Sequence, residues 1–287
     1  MLGNFSSRLE LLYLLQRAQK IIIHGLWNEK LIRFFLCQPW LFKKMYLVPW
    51  GGDFYFPEKQ SLAKRLLLGR IGNFVTYLKG DYEYIKEHYK ATGRYHDCIM
   101  YPSNIYWETN PCRKAEASTL NILVGNSAQE TNRHLLVLEK LKNYRDRKIR
   151  LFCPLSYGDN DYARKVMDTG QSIFGKKFIP LRKFLPFQNY LKFLRTIDIG
   201  FFLHNRQQGM GNVIQLLGNG RKVFLSRGTS QYEFFRQCGI TVFDIENCQA
   251  DDLLVPFFKD NENNRIIVKR VFSESRLASQ WKDIFDA

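Results

Sequence analysis

At 287 residues with 45% hydrophobic residues, the chain is long enough for one large domain or two ordinary ones, with the apolar content of a packed core rather than of a disordered chain. A net charge of +16 calls for an anionic partner, and nucleic acid, an anionic membrane surface or a phosphorylated substrate would each satisfy it. The basic residues come in scattered pairs such as Lys43-Lys44, Lys64-Arg65 and Arg221-Lys222, with no dense arm or finger spacing, so no nucleic-acid partner is expected. The six cysteines (37, 98, 112, 153, 238 and 248) make no CxxC pair and none stands at zinc-ligand spacing, which suits a reducing compartment. The start, MLGNFSSRLELLYLLQRAQK, lacks a cleavable apolar core, and no run approaches the ~18 apolar residues of a spanning helix. The expected location is the cytosol or the cytosolic side of a membrane.

In chain order, an opening helix precedes KIIIHGLWN (20–28), a strand ending at His24-Gly25. KKMYLVPWGGDFYF (43–56) is a strand running into a glycine-rich loop, LAKRLLLGRI a basic helix, NFVTYL (73–78) a strand and DYEYIKEHYKA a helix. WETNPCRKAEAST (107–119) is polar and lacks periodicity, as a linker does, which sets domains at 1–112 and 113–287. Beyond it the alternation is regular. TLNILVG (119–125), KIRLFCPL (148–155), KKFIPL, DIGFFLHN (198–205), RKVFLS and ITVF read as strands. Between them lie helices in 126–144, DYARKVMDTGQSIFG, PFQNYLKFLRT, NVIQLLGNG and SQYEFFRQCG. Apolar strands separated by helices imply an α/β fold with two doubly wound parallel sheets, the first domain short.

Ligands of open parallel sheets bind at the carboxyl ends of strands, so the strand-end loops carry the candidate chemistry. In VGNSAQETN, Gly125 makes a turn and Asn126 and Ser127 are expected at the start of the next helix, as ligand contacts or as plain N-caps. In RQQGMGN, Gln207, Gln208 and Asn212 flank Gly209 and Gly211, which would open the backbone to a pyrophosphate facing a helix N-terminus; a flexible connection with helpful glycines is the plainer reading. In PWGGDFYF, Asp53 is a candidate general base, or an aspartate closing an Asx-turn, with His24 as its companion if the two lie close. Asp159-Asn160-Asp161 matches the Asp-x-Asp that holds a divalent cation in metal-dependent glycosyltransferases, yet it also begins a helix, where acidic residues suit the dipole. No metal and no cofactor is expected.

The blocks IIHGLWN, VPWGGDFY, NILVGNSAQETNRH, FCPLSYG and FFLHNRQQGMG resemble the TDP-N-acetylfucosamine:lipid II N-acetylfucosaminyltransferases of enterobacteria, in the same order from about residue 20 to about residue 245. The resemblance implies a GT-B enzyme with two Rossmann-like domains facing a cleft. It would transfer 4-acetamido-4,6-dideoxygalactose from TDP to an undecaprenyl-diphosphate-linked glycan, in enterobacterial common antigen or O-antigen synthesis. It places the TDP-sugar on the C-terminal domain, near Gly125, Asn126, Ser127, Tyr157 and the Gln207–Gly211 loop. The acceptor falls to a shortened N-terminal domain on the cytoplasmic face of the inner membrane. The helix NVIQLLGN offers Gln215 where many GT-B enzymes carry a ribose-binding glutamate. Two other readings stay open: a transferase for another TDP-sugar, and a non-catalytic truncated homologue that binds a partner. Basic and large apolar residues alternate in 31–46 and 61–74, as they would on an anionic membrane surface or on core helices with a solvated basic face.

Overall fold

The computed structural model describes residues 5–108, 119–248 and 252–287; Cys112 and the expected boundary between residues 112 and 113 lie outside them. The chain divides into two compact units, Met1–Pro102 with Ser275–Ala287, and Ser103–Glu274.

The first unit holds α1 (Phe5–Arg17), β1 (Ile21–His24), α2 (Glu29–Leu36), β2 (Met45–Val48), α3 (Leu62–Leu68), β3 (Asn73–Val75), α4 (Lys79–Tyr89) and β4 (Arg94–His96). Its described strands are parallel and lie in chain order, β1-β2-β3-β4. Ile21, Ile23, Leu47 and Phe74 from the strands pack with Ile32 and Phe35 of α2, Leu67 and Leu68 of α3 and Ile85 of α4. Fully burying one such side chain stabilises by roughly 1.5–3 kcal/mol. The short α2 begins where Asn28 accepts hydrogen bonds from the N–H groups of Lys30 and Leu31. In the same way Ser61 caps α3 by accepting from Lys64 N–H at 3.2 Å. The segments 31–46 and 61–74 thus bury one face each, while Trp40, Leu62 and Leu66 remain exposed.

The second unit holds β5 (Leu120–Val124), α5 (His134–Leu141), β6 (Ile149–Pro154), α6 (Asn160–Phe174), β7 (Phe178–Leu181), α7 (Phe187–Arg195), β8 (Ile199–Phe202), α8 (Met210–Gly218), β9 (Lys222–Leu225), α9 (Ser230–Gln237) and α10 (Asn261–Val271). Its described strands are parallel in the order β7-β6-β5-β8-β9. Ile122, Val124, Leu151, Cys153, Ile199, Phe201 and Phe224 form the core, with the Phe201 and Phe224 rings stacked at 4.7 Å. Cys153 is a free buried thiol whose pKa is pushed up by that burial. The last helix, α11 (Glu274–Asp286), belongs almost wholly to the first unit, where Gln280 accepts from Ile99 N–H and Arg276 pairs with Asp97.

Three local expectations need correction. ITVF makes only a single bridge, Phe224 to Phe243, instead of a strand. Arg94–His96, polar and partly exposed, is a strand at the sheet edge that apolar periodicity does not reveal. The helix expected close behind Asn126 and Ser127 starts only at His134, after a 3-10 turn over Glu130–Asn132 and Arg133 at φ +53°. Neither Asn126 nor Ser127 caps it. Among the described residues no helix is long and apolar enough to cross a membrane.

Candidate active site

The strand order of the second unit reverses between β5 and β8. The chain leaves β5 toward β6 and β7, then returns to the other side for β8 and β9. At such a reversal the two loops leaving the carboxyl ends diverge and open a crevice. Gly125, Asn126 and Ser127 leave β5 there, and residues 203–209 leave β8.

Both loops are built around buried amide and imidazole groups. Asn132 Oδ1 accepts the Asn126 N–H at 2.8 Å, and Asn132 Nδ2 donates to Ser127 Oγ at 3.2 Å and to the Gln129 carbonyl at 3.1 Å. Those backbone partners fix which way the amide faces. His204 Nε2 stands 3.0 Å from the same Oδ1, and its Nδ1 stands 3.1 Å from the Gln208 carbonyl oxygen. Both ring nitrogens of a buried histidine therefore face oxygens that only accept. Burial holds the His204 pKa down to about 3, so at neutral pH the ring carries one N–H and satisfies one of the two. Gln208 Oε1 accepts from Thr131 Oγ1 at 2.7 Å, and its Nε2 lies within reach of Asn126 Oδ1 and Ser127 Oγ, each at 3.2 Å. One glutamine thus ties the β8 loop to the β5 loop. Gln208 N–H donates to Gln231 Oε1 at 3.3 Å, and the buried Gln231 Nε2 has no partner among the described residues.

Two glycines here have separable reasons. Gly209 has φ +67°, and a Cβ on it would come within 3.1 Å of both Asn126 Cγ and His204 Cε1. It precedes α8, whose N-terminus has no side-chain cap among the described residues; the Asn212 N–H turns back to the Gly209 carbonyl at 3.1 Å, which leaves the N–H groups of Met210 and Gly211 at the positive end of the helix dipole. Gly211 answers a different need: a Cβ there would sit 2.7 Å from the Ser103 carbonyl oxygen. Its missing side chain admits a neighbouring stretch of main chain, a packing reason beside the expected one of approach to a pyrophosphate. Gln207 is half-buried, its carbonyl accepting from Arg206, and Asn212 hydrogen-bonds the Tyr190 hydroxyl. Gln215 donates to the Ile105 carbonyl at 3.0 Å and is committed to that chain segment.

Tyr157, after β6, accepts from Asn126 Nδ2 at 3.0 Å, and its ring is 52% exposed at the rim. Asp159 accepts the Tyr162 N–H at 2.7 Å and caps α6, while Asp161 pairs with Arg164 one turn on. The Asp-x-Asp is therefore a helix start. Among the described residues no group of three or more His, Cys, Asp or Glu side chains is arranged to hold a metal ion.

In the first unit, the carboxyl ends of β1 and β2 bring the sequence candidates His24 and Asp53 into one neighbourhood, with unexpected roles. Asp53 is 0% exposed. Its Oδ2 accepts from Leu26 N–H at 3.1 Å and its Oδ1 from Trp50 N–H at 2.9 Å. Burial raises its pKa, opposed by those two backbone donors. The aspartate expected as a solvent-reaching base is instead a clamp between the loops leaving β1 and β2. His24 is exposed, its Nδ1 standing 2.9 Å from the Tyr101 hydroxyl, which accepts from Trp50 Nε1 at 2.6 Å. Because the Tyr101 oxygen accepts from Trp50, its O–H can donate to Nδ1, or Nδ1–H can donate to it, according to the imidazole tautomer.

Sequence reasoning overlooked Asn132, Thr131, His204 and Gln231. The one available signal was a histidine directly after the apolar run of β8; their value lies in who meets whom across the reversal.

Solved structures share the fold. A glycosyltransferase from Rickettsia africae aligns with TM-score 0.67 at 13% identity, over 99% of this chain and 82% of that one. An E. coli structure described as trehalose-6-phosphate bound with UDP-2-fluoro glucose aligns with TM-score 0.66 at 13% identity, over 97% and 75% of the two chains. A UDP-forming trehalose-phosphate synthase from Burkholderia xenovorans aligns with TM-score 0.66 at 11% identity, over 98% and 76%. At such identities these likenesses speak to the fold alone, which is of the GT-B type with Rossmann-like parallel sheets. Residues 13–256 match the family described as 4-alpha-L-fucosyltransferase glycosyl transferase group 56, so the chain belongs to that family and is a glycosyltransferase of the hexosyltransferase class.

Proposed function

We propose that this glycosyltransferase moves 4-acetamido-4,6-dideoxygalactose from TDP to an undecaprenyl-diphosphate-linked glycan, as in enterobacterial common antigen or O-antigen synthesis. The observation that carries the reading is the uncapped, glycine-led start of α8 at the strand reversal beside Asn126 and Gln208. In this reading the diphosphate lies against the first N–H groups of α8, with Gly209 allowing the approach. As the bond from the anomeric carbon to the diphosphate oxygen breaks, negative charge grows on the leaving group. The helix dipole and the amide donors stabilise that charge without reorganising. The acceptor hydroxyl oxygen forms the new bond to the anomeric carbon and gives up its proton. Among the first unit's candidates His24 has the exposure to take a proton, and the buried, doubly bonded Asp53 does not. The exposed Tyr157 ring offers a stacking face for the thymine base.

Exposed Trp40, Leu62 and Leu66 among the basic residues of α2, α3 and their flanks support peripheral attachment to an anionic bilayer, where a polyprenyl acceptor resides. Incubating the protein with TDP-4-acetamido-4,6-dideoxygalactose and a lipid-linked disaccharide should give a trisaccharide product by mass spectrometry. Turnover with UDP- or GDP-linked sugars and none with the TDP-linked one would contradict this reading.

A further inference from the structure

Two tryptophans at the carboxyl ends of β1 and β2 are held far more firmly than their exposure warrants. Trp27 is 54% exposed and Trp50 51% exposed, their rings meeting edge to face at 6.3 Å. Gly25 has φ +71°, and a Cβ on it would fall 2.3 Å from Trp27 Nε1, so the indole folds back over a main chain that only glycine leaves open. Trp50 is anchored by its Nε1–H to the Tyr101 hydroxyl. The Asp53 carboxylate, withdrawn from water, accepts from the main chain of Leu26, next to Trp27, and of Trp50 itself. Burying a carboxylate and freezing two indoles both cost free energy, and neither cost is offset by burial of the rings themselves.

We propose that Trp27 and Trp50, set at 74° to one another, form an aromatic corner in which an indole face stacks on a pyranose ring of the acceptor glycan. The stacking side of Trp27 is the one away from the Lys64 ammonium, 6.0 Å from its ring centre, and His24 and Tyr101 meet the hydroxyls at the sugar's edge. A pyranose presents polarised C–H groups on its face and hydroxyls around its rim. The face suits the electron-rich plane of an indole, and the rim needs donors and acceptors beside it. The His24–Tyr101 pair, whose rings lie 5.5 Å apart, supplies them next to Trp50. A lipid tail would want continuous apolar surface instead of a hydrogen-bonding pair at its edge. The aromatic corner lies wholly within the first unit. Its identification with the acceptor rests on the reaction proposed above.

The probe is N,N′-diacetylchitobiose, observed by saturation-transfer NMR on the full chain. Wild type should pass saturation to ring C–H protons on one face of a sugar, Trp27→Ala and Trp50→Ala should abolish this, and Trp27→Phe should keep part of it. In the transfer assay both alanine variants should raise the acceptor KM on the order of 30-fold, the scale of a tryptophan anchor. TDP affinity by calorimetry should stay within about a factor of two. Should Trp50→Ala melt early through loss of its Tyr101 bond, Trp27→Leu gives the same reading without touching that bond. No saturation transfer to wild type, or transfer unchanged in the alanine variants, overturns the aromatic corner. So does loss of binding to phosphatidylglycerol vesicles with the sugar signal intact, which would make the indoles membrane anchors. Absence of TDP binding in wild type counts against the proposed reaction and leaves the aromatic corner to be judged by the NMR result.

Discussion

The described strands of the first sheet follow one another in chain order, β1-β2-β3-β4, whereas the second sheet runs β7-β6-β5-β8-β9 and reverses at its centre. The reversal decides what gathers at the carboxyl ends. In the second unit two loops that diverge are tied side chain to side chain, by Gln208, Asn132 and His204, beside a helix N-terminus with no side-chain cap among the described residues. In the first unit neighbouring loops are tied main chain to side chain by the buried Asp53, and aromatic rings are turned outward. In the reading proposed above the first arrangement receives the donor's diphosphate and the second a sugar ring of the acceptor.

The largest effect that separates the two comes from acid. Burial holds His134 at about 4 and His204 at about 3, so both stay neutral in the fold while the unfolded chain takes up protons near the ordinary histidine value of about 6.5. Their stability contribution is present above about pH 6.5 and is lost as pH falls toward those values. The loss is about 1.4 kcal/mol per pH unit for each ring, or about 4 kcal/mol for the pair by pH 5. Asp53 runs the other way: its raised pKa makes its ionised form a cost, so its contribution is present at low pH and is lost as pH rises. His96 in the first unit, shifted down chiefly by burial, adds a smaller acid-labile element there. Amide exchange from pH 7 to 5 should therefore loosen the β5 and β8 loops first; equal loss at the β1 and β2 loops would erase the contrast.

Next in size, Gly209→Val should weaken TDP binding on the order of 100-fold in calorimetry. A branched residue at φ +67° has to shift the backbone and crowd Asn126 and His204. Wild-type affinity in that variant would remove the α8 N-terminus from the donor site.

Asp53→Asn turns one of the two accepting oxygens into a donor facing a backbone N–H. It should lower stability by about 2 kcal/mol in thermal melts and leave TDP affinity unchanged. Full stability with turnover lost would restore Asp53 as the base that the sequence suggested.

Smallest of all, Asp161→Ala removes an exposed partner of Arg164 and should change stability by about 0.5 kcal/mol or less, with turnover surviving EDTA. A strict requirement for Mn²⁺ or Mg²⁺, lost in this variant, would make the Asp-x-Asp a metal site after all.

What sequence could reveal follows from what each element spends on local pattern. Strands β5, β6 and β8 announce themselves as apolar runs because their buried side chains must be apolar, and Gly125 and Gly209 because their φ is positive. The edge strand β4, reading Arg94-Tyr95-His96, has no such constraint and was passed over, as were α10 and α11. Asp53 was misjudged because its partners, Leu26 and Trp50, are backbone groups that any sequence would supply. That Gly211 makes room for the Ser103 carbonyl is invisible locally, because Ser103 lies more than a hundred residues earlier in the chain. Asn132 and His204 meet across 72 residues, and no local pattern encodes such a meeting.

The central claim is that the diphosphate of the donor sits where the second sheet reverses. Amide chemical shifts of the labelled protein during a TDP titration test it most directly. The account predicts that the largest shifts fall at Gly125, Asn126 and Gly209 to Gly211, with the loops around His24 and Trp50 nearly silent. Largest shifts at His24 to Trp27 and Trp50, with the start of α8 unmoved, would contradict it.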